Sequence, residues 1–136
     1  MSAPGRRMCP GGLTTYLFET MAEPVLLNAT PCNGEYLELL TPGQQSVSMR
    51  SGVVTLQPGE AVGWHSTGAR EELVIVLSGR GEARGRAGAP TPMHAGAALY
   101  VPPEHEHDIV NTGADVLRYV YVVAPTVAAA TTETHA

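Results

Sequence analysis

Short strand-forming runs, most of them apolar, follow one another along residues 36–123. They are Tyr36–Leu40, Val47–Leu56, Glu72–Leu77, Glu82–Arg86, Ala97–Val101, His105–Asn111 and Val116–Val123. Turn-forming pairs such as Pro58-Gly59 and Ser78-Gly79 separate them, at a spacing of roughly eight to twelve residues that is typical of an all-β sandwich or closed barrel. No long stretch carries a 3.6-residue apolar period. The pattern therefore predicts an all-β chain.

The run Glu72–Leu77 also predicts which side chains face the interior, because successive side chains of a strand point to opposite faces. Two alternating sets result: Glu72, Val74 and Val76 on one face, and Leu73, Ile75 and Leu77 on the other. Both faces are apolar except at Glu72. A carboxylate at the head of a buried strand needs a partner, because an uncompensated buried charge is costly.

With 136 residues the chain has room for one domain, which we expect to occupy residues 13–124. Residues 1–12 are rich in Pro, Gly and Arg and are predicted to be flexible. Leu13–Met21 fits a strand or a short helical turn, and the pattern does not decide between them. Residues 125–136 are rich in Ala and Thr without a core pattern, which predicts a disordered C-terminal tail.

Composition and charge narrow the classes of function. The formal net charge is −5, and all 8 basic residues are Arg. The absence of Lys excludes a Schiff-base enzyme and a phosphate loop of the Walker type. A mildly acidic chain without a basic stripe is also a poor candidate for binding nucleic acid. The expected partner is a small molecule.

Cysteine content and hydropathy indicate the cellular compartment. Cys9 and Cys32 are too few for a disulfide framework and lack paired metal-ligand spacing, so we expect no chemical role for either. No apolar run approaches the roughly 20 residues that span a bilayer. Arg6-Arg7 is not followed by a signal-peptide core, because turn residues interrupt it. These features predict a cytoplasmic protein without a membrane partner.

The candidate chemistry lies in two short windows that contain Glu72 and three of the five histidines, namely His65, His105 and His107. Imidazole and carboxylate together suit a divalent transition metal, and Fe(II), Zn, Mn, Ni and Co are all admissible. Two imidazoles and one carboxylate would leave further positions on the metal open for water, substrate or oxygen.

Two motifs in these windows resemble those of the cupin superfamily. Gly59-x5-His65-x-Thr67-x4-Glu72-x6-Gly79 is similar to the first cupin motif, and Gly96-x5-Pro102-x-Glu104-x2-His107-x3-Asn111 is similar to the second. The match covers about residues 47–123. The resemblance implies a single-domain double-stranded β-helix, or jelly-roll barrel, that holds one divalent metal ion through His65, Glu72 and His107. It also implies a homodimer built from N-terminal strands and one sheet face.

Two positions depart from the family pattern. Thr67 stands where the first motif usually has a second His, which implies three protein ligands. Thr67 would then either bind a metal-bound water or leave its position to substrate. Glu104 stands where the second motif usually has Gly, which predicts a turn without a positive φ angle. His105 is a possible fourth ligand.

Residues outside the motifs supply further candidates. Tyr119 and Tyr121 share a face of the last strand. If that face is inward, their hydroxyls can reach substrate or act as general acids, and core packing is the alternative. The candidate catalytic residues are thus Tyr119, Tyr121 and Thr67. The candidate substrate-binding residues are Arg50, for a substrate carboxylate, together with Thr67 and Tyr121.

Three hypotheses of function follow. The leading one is a metal-dependent enzyme acting on a small organic molecule, an Fe(II)-type oxidoreductase or dioxygenase, because two His and one carboxylate with open positions are the ligands of non-haem iron oxygenases. The second is a Lewis-acid isomerase, cyclase or lyase resembling polyketide cyclases. The third is a non-catalytic cupin that binds a small molecule. Fold-level analogy supports all three, because one fold hosts many chemistries.

Overall fold

A computed structural model describes residues 23–31, 34 and 36–127, which contain nine β-strands. In chain order they are β1 (Leu37–Leu40), β2 (Arg50–Leu56), β3 (His65–Ser66), β4 (Arg70–Ser78), β5 (Arg80–Gly85), β6 (Thr91–His94), β7 (Ala98–Val101), β8 (Glu106–Val110) and β9 (Leu117–Pro125). Each predicted run overlaps one of these strands, although β4, β5 and β9 extend beyond the runs predicted for them. β3 and β6 were not predicted, because β3 has only 2 residues and β6 contains Pro92 within a segment expected to be a loop.

The strands form two antiparallel sheets. The larger has the order β1-β2-β9-β4-β7, and the smaller has the order β3-β8-β5-β6. From β2 onward the chain passes between the sheets at nearly every connection, which produces the double-stranded β-helix that the sequence predicted. β9 continues to Pro125, just past the predicted end of the domain at residue 124.

The core lies between the two sheets. Its buried members come from both of them and are Leu56, Val74, Val76, Met93, Ile109, Leu117 and Tyr119. The alternation predicted for β4 is confirmed, because Glu72 and the two valines are buried whereas the side chains between them are exposed. The exposed members, Leu73, Ile75 and Leu77, are 40%, 39% and 47% accessible. The larger sheet therefore presents an apolar outer face.

On the inner face of the larger sheet, the strand register places charged side chains at one end and apolar side chains farther along the strands. Arg50 of β2 and Glu72 of β4 both pair with Val123 of β9, so the three residues form one row across the sheet. The next row on the same face contains Tyr121, and the following one contains Tyr119. Each tyrosine lies between a residue of β2 and a residue of β4. Polar chemistry is thus concentrated at one end of the barrel.

The turn before β8 contradicts one prediction from the sequence. Glu104 has a φ angle of 54°, so this position keeps the left-handed backbone of the usual glycine although it carries a side chain. Its amide donates a hydrogen bond of 2.8 Å to the carbonyl of Gly68. This contact ties the turn to the loop after β3 and compensates for the unfavourable conformation. The expectation of a turn without a positive φ angle was wrong.

Several predictions fall outside the described residues. They concern the flexible segment 1–12, the segment Leu13–Met21, Cys9 and Cys32, and the tail beyond residue 127. Among the residues that the structure describes, no helix is long and apolar enough to cross a membrane.

Candidate metal centre

The three side chains implied as metal ligands converge at the polar end of the barrel. One ligand atom from each of His65, Glu72 and His107 lies within 4.8 Å of the others. His65 and His107 are paired directly across β3 and β8, and their ring centroids are 4.2 Å apart. Glu72 comes from β4, in the other sheet. The double-stranded β-helix therefore brings together two segments that are distant in sequence.

The cluster fits a divalent cation. His107 Nε2 is buried without a hydrogen-bond partner among the described residues, and it lies 3.6 Å from Glu72 Oε1. A buried polar atom without a partner is costly, and a metal ion between the two side chains would satisfy both. Two imidazole nitrogens and one carboxylate oxygen suit the divalent transition metals without selecting one of them.

Backbone carbonyls orient both imidazole rings. His65 Nδ1 lies 2.7 Å from the carbonyl oxygen of Gly63, and His107 Nδ1 lies 3.0 Å from that of His105. Because a carbonyl oxygen only accepts, each Nδ1 is assigned as the N–H donor, and in the neutral ring Nε2 keeps its lone pair. Such hydrogen bonds behind the ligands fix ring orientation in metal sites.

Asp108 supports this arrangement from behind, and sequence analysis did not identify it. Its Oδ1 accepts a hydrogen bond of 2.9 Å from the amide of Gly63, the residue whose carbonyl holds His65. Asp108 itself is buried. The sequence gives one indication of this role, namely that a carboxylate directly follows a proposed ligand and then points to the other side of β8.

Glu72 also affects the protonation of its neighbour. Its carboxylate raises the pKa of His107 through the 3.6 Å contact, and this attraction outweighs burial, which lowers that pKa. The contact is slightly longer than an ordinary hydrogen bond, so we attribute the shift to charge attraction. A cation bound by both side chains would require the neutral ring and would therefore oppose protonation of His107.

The Thr67 hydroxyl forms hydrogen bonds with backbone groups of the barrel wall. It donates a hydrogen bond of 2.6 Å to the carbonyl of Pro102 and accepts one of 3.0 Å from the amide of His105. Its only proton is thus used to join the loop after β3 to the segment before β8. The catalytic and substrate-binding roles expected of Thr67 remain predictions.

His105 lies beside the cluster and is not a member of it. Its ring centroid is 6.0 Å from that of His107, and its Cε1 atom approaches the backbone of Gly85. The side chain is exposed. This placement gives no support to a role as fourth ligand, and backbone atoms of His105 instead hold the ring of His107 and the hydroxyl of Thr67.

Tyr119 and Tyr121 both point inward and line the cavity beside the cluster. Burial raises the pKa of each well above the usual range; the negative charge of Glu72 adds to the effect at Tyr119, and a hydrogen bond with Tyr36 adds to it at Tyr121. Both phenols therefore stay protonated near neutral pH and can act as hydrogen-bond or proton donors. Tyr119 is also a member of the core, as the alternative of core packing predicted, and the catalytic roles of the two tyrosines remain predictions.

Tyr36 is a further member of the cavity wall that the sequence did not reveal. Its hydroxyl is hydrogen-bonded to that of Tyr121, and the two rings are stacked with centroids 6.3 Å apart. The ring lies against Gly52, where an added Cβ atom would fall 2.8 Å from Cζ of Tyr36. A glycine inside a predicted strand indicates such a close approach, although it does not identify the partner.

The cavity beside the cluster has a volume of ≈ 550 Å³. Much of its wall is apolar and includes Val54, Leu56, Val62 and Val123. Its exposed polar lining residues include Arg50, Arg70, Ser66 and Tyr36. The structure thus places Arg50, Thr67, Tyr119 and Tyr121 in one cavity with His65 and Glu72.

Comparisons with known proteins agree with this fold. A family model described as the cupin domain matches residues 52–123, more than half of the chain. A predicted oxalate decarboxylase from Thermotoga maritima is similar in structure, with 25% identity, a TM-score of 0.61, and coverage of 67% of this chain and 79% of that one.

Two further solved structures show the same fold. A Cupin 2 conserved barrel domain protein from Salinispora arenicola is 24% identical with a TM-score of 0.61, over 74% of this chain and 83% of that one. A protein from Bacillus halodurans is 18% identical with a TM-score of 0.66, over 76% and 83%. No curated protein matches the chain.

Proposed function

This chain belongs to the cupin domain family, and from that premise we propose that it is a metal-dependent enzyme acting on a small organic molecule in the cavity. The reaction that we favour is oxidation by dioxygen at an Fe(II) centre. The observation that carries the proposal is the buried Nε2 atom of His107, which has no hydrogen-bond partner among the described residues and faces the Glu72 carboxylate.

Three protein ligands beside a cavity, two of which line it, are suited to catalysis rather than to a purely structural role. A structural metal site is typically closed by four protein ligands, whereas a catalytic site keeps positions open. Here His65, Glu72 and His107 supply three, and Thr67, at the position of a further ligand in many cupins, uses its proton on the Pro102 carbonyl. A ferrous ion held in this way would supply the redox chemistry that binds and activates dioxygen.

The chain's own residues would bind the substrate and exclude water. The apolar wall formed by Val54, Leu56 and Val123 removes water from the reacting molecule, which limits side reactions. Tyr121 presents a protonated hydroxyl to the same space, held in place by the Tyr36 hydroxyl. It can therefore donate a hydrogen bond or a proton to an oxygen of the substrate that gains negative charge.

A second candidate function is a Lewis-acid reaction without oxidation, such as that of a lyase, cyclase or isomerase. The two protonated phenols of Tyr119 and Tyr121 favour it, because such reactions require a proton donor next to a polarised carbonyl or carboxylate. The similarity to the predicted oxalate decarboxylase of Thermotoga maritima, at 25% identity, also supports a lyase.

Metal content and oxygen uptake together test the proposal. The wild-type protein and two matched variants, His107→Ala and His105→Ala, would be purified without oxygen, loaded with Fe(II) and assayed for metal by mass spectrometry. We expect one metal ion per chain in the wild type and in His105→Ala, and loss of the metal in His107→Ala. The control is informative because His105 is adjacent but outside the cluster.

Oxygen consumption with a panel of small organic acids, alcohols and carbonyl compounds then separates the candidates. Fe(II)-dependent uptake of oxygen supports the favoured reaction. A substrate converted equally well with Zn or Mn and without oxygen supports the Lewis-acid alternative. Binding without turnover indicates a non-catalytic cupin, and equal metal loss in both variants contradicts the ligand assignment.

A further inference from the structure

The geometry points to a substrate class: we propose that the cavity binds a carboxylate with an apolar body, and that Arg50 and Arg70 together recognise its carboxylate group. This inference rests on the proposed function, since it concerns the same cavity. It adds Arg70, which sequence analysis did not single out, and it requires a substrate larger than a two-carbon diacid.

The two arginines flank the metal cluster on one inner sheet face. Arg50 stands in the same row as Glu72 with Val123 between them, which places their backbones about 10 Å apart at the usual strand spacing. Arg70 precedes Glu72 by two residues on β4 and shares its face, about 7 Å away along the strand. Both arginines line the cavity. A ligand next to the cluster is therefore within reach of both guanidinium groups.

Neither guanidinium is strongly engaged within the described part of the chain. Arg84 and Arg86, outside the cavity, pair with carboxylates at 3.1 and 2.7 Å. Arg50 contacts Glu38 at 3.5 Å, with 48% and 34% of the two side chains exposed, and such an exposed pair contributes little. Among residues 23–31, 34 and 36–127, Arg70 has no ion pair. Both groups are thus available to a ligand.

The charge of the cavity differs from that of the whole protein. The chain carries a formal charge of −5, yet the described residues that line the cavity include two arginines and a single carboxylate, Glu72, which faces His107 within the metal cluster. A divalent cation in the cluster would make the region more positive still. A concave site of one sign attracts ligands of the opposite sign. The guanidinium fork also matches the two oxygens of a carboxylate.

The size and lining of the cavity indicate the size and polarity of the part of the ligand that is attached to the carboxylate. A volume of ≈ 550 Å³ lies within the range of roughly 300–1,000 Å³ that pockets for drug-sized molecules occupy. Val54, Leu56 and Val123 form an apolar surface that a molecule as small as oxalate would leave largely in contact with water. An alkyl or aryl carboxylate would cover this surface while its charged end stays at the rim.

Calorimetric titration with matched acids and amides tests the inference. The probes are octanoate, benzoate and 2-naphthoate, their neutral amides, and oxalate. They are titrated into metal-free and zinc-loaded protein, because a bound metal attracts carboxylates by itself. In the metal-free protein we expect at least one of the three larger acids to bind about ten-fold more tightly than its amide and more tightly than oxalate.

Variants then assign the preference to the two arginines. Arg50→Gln and Arg70→Gln should each weaken binding of that acid about ten-fold without affecting its amide. Arg80→Gln, an exposed arginine that does not line this cavity, should change neither, and Glu38→Gln should strengthen acid binding by removing the competitor of Arg50.

Three results overturn the inference: no larger acid binds, acids and amides bind alike, or Arg80→Gln lowers affinity as much as the other two substitutions. The proposed function is judged separately by metal content. If the protein binds metal but does not prefer acids, only the substrate class fails. If acid binding depends on Arg50 and Arg70 in a protein that takes up no metal, the proposed function fails and the carboxylate site stands.

Discussion

At the scale of single residues, the geometry of the metal cluster depends on hydrogen bonds that hold its ligands from behind. The carbonyl of Gly63 holds the ring of His65, and the Asp108 carboxylate in turn holds the amide of Gly63. A second hydrogen bond, from the amide of Val62 to the carbonyl of Ile109, runs parallel to it. Asp108 is therefore a positioning residue that acts on the candidate ligand His65 through the backbone.

Replacing Asp108 by Ala should lower metal affinity about 10–100-fold, as loss of such supporting contacts does in other metal sites. The conservative Asp108→Asn keeps an acceptor oxygen and should restore most of the loss. Affinity is measured by competition with a chelator, and circular dichroism verifies that both variants fold. Unchanged affinity in Asp108→Ala would mean that the hydrogen bond from Val62 to Ile109 positions the loop alone.

The convergence of His65, Glu72 and His107 was predictable because short local motifs carry these residues, whereas the residues that support them were not predictable. His65 and Glu72 belong to one motif and His107 to the other, and each motif includes the turns that aim its ligands. The contacts of Tyr36 with Tyr121 and of Asp108 with Gly63 join residues 85 and 45 positions apart. No local pattern encodes such pairs.

Among the strands, β4 shows how far alternation alone predicts structure. Its two faces were assigned from the sequence, and the buried and exposed residues follow that assignment. The two strands that the sequence did not predict form because they pair with a neighbouring strand, not because their residues favour the strand conformation. β3 consists of 2 residues that are ordered by pairing with β8, and β6 contains Pro92 at the edge of the smaller sheet.

The connection from β4 in the larger sheet to β5 in the smaller one depends on a glycine for two separable reasons. Gly79 has a φ angle of 85°, and a Cβ atom there would collide with the carbonyl oxygen of Val116 and lie 2.8 Å from Cα of Leu117. Gly88 has a similar φ angle of 86°, but no atom lies within 4 Å of its Cβ position. The two positions share the backbone requirement and differ in packing.

We expect Gly88→Ala to cost about 1–2 kcal/mol of stability from the left-handed backbone alone. Gly79→Ala should cost about 2–5 kcal/mol, because overpacking against β9 adds about 1–3 kcal/mol to the same strain. Urea unfolding of both variants and the wild type gives these differences. Equal losses in the two variants would show that β9 shifts to accommodate the added methyl group.

At the scale of the whole molecule, the outer face of the larger sheet exposes several large apolar side chains. Leu73, Ile75 and Leu77 project from it, and Tyr100 of the neighbouring β7 is 57% exposed. Contiguous apolar patches on soluble proteins commonly mark association sites. The expected homodimer remains a prediction, and this is the face on which we place it.

Light scattering coupled to size-exclusion chromatography should give twice the mass of one chain for the wild type. Ile75→Glu should give a monomer, because in a two-fold dimer the substituted patch meets itself and the introduced charges repel each other. Thr112→Glu, in an exposed turn, serves as the control and should leave the mass unchanged. A wild-type protein that elutes as a monomer would refute the dimer.

The position of β9 has a consequence for how the protein reaches its native state. Among the nine strands it is synthesised last, yet it lies in the middle of the larger sheet between β2 and β4. Until the ribosome has delivered it, both neighbours keep an open edge, and open edges invite aggregation of nascent chains. The larger sheet can therefore be completed only after β9 has been synthesised. Assembly of the candidate metal cluster has to wait for this step, because Glu72 meets the two histidines only when the sheets close.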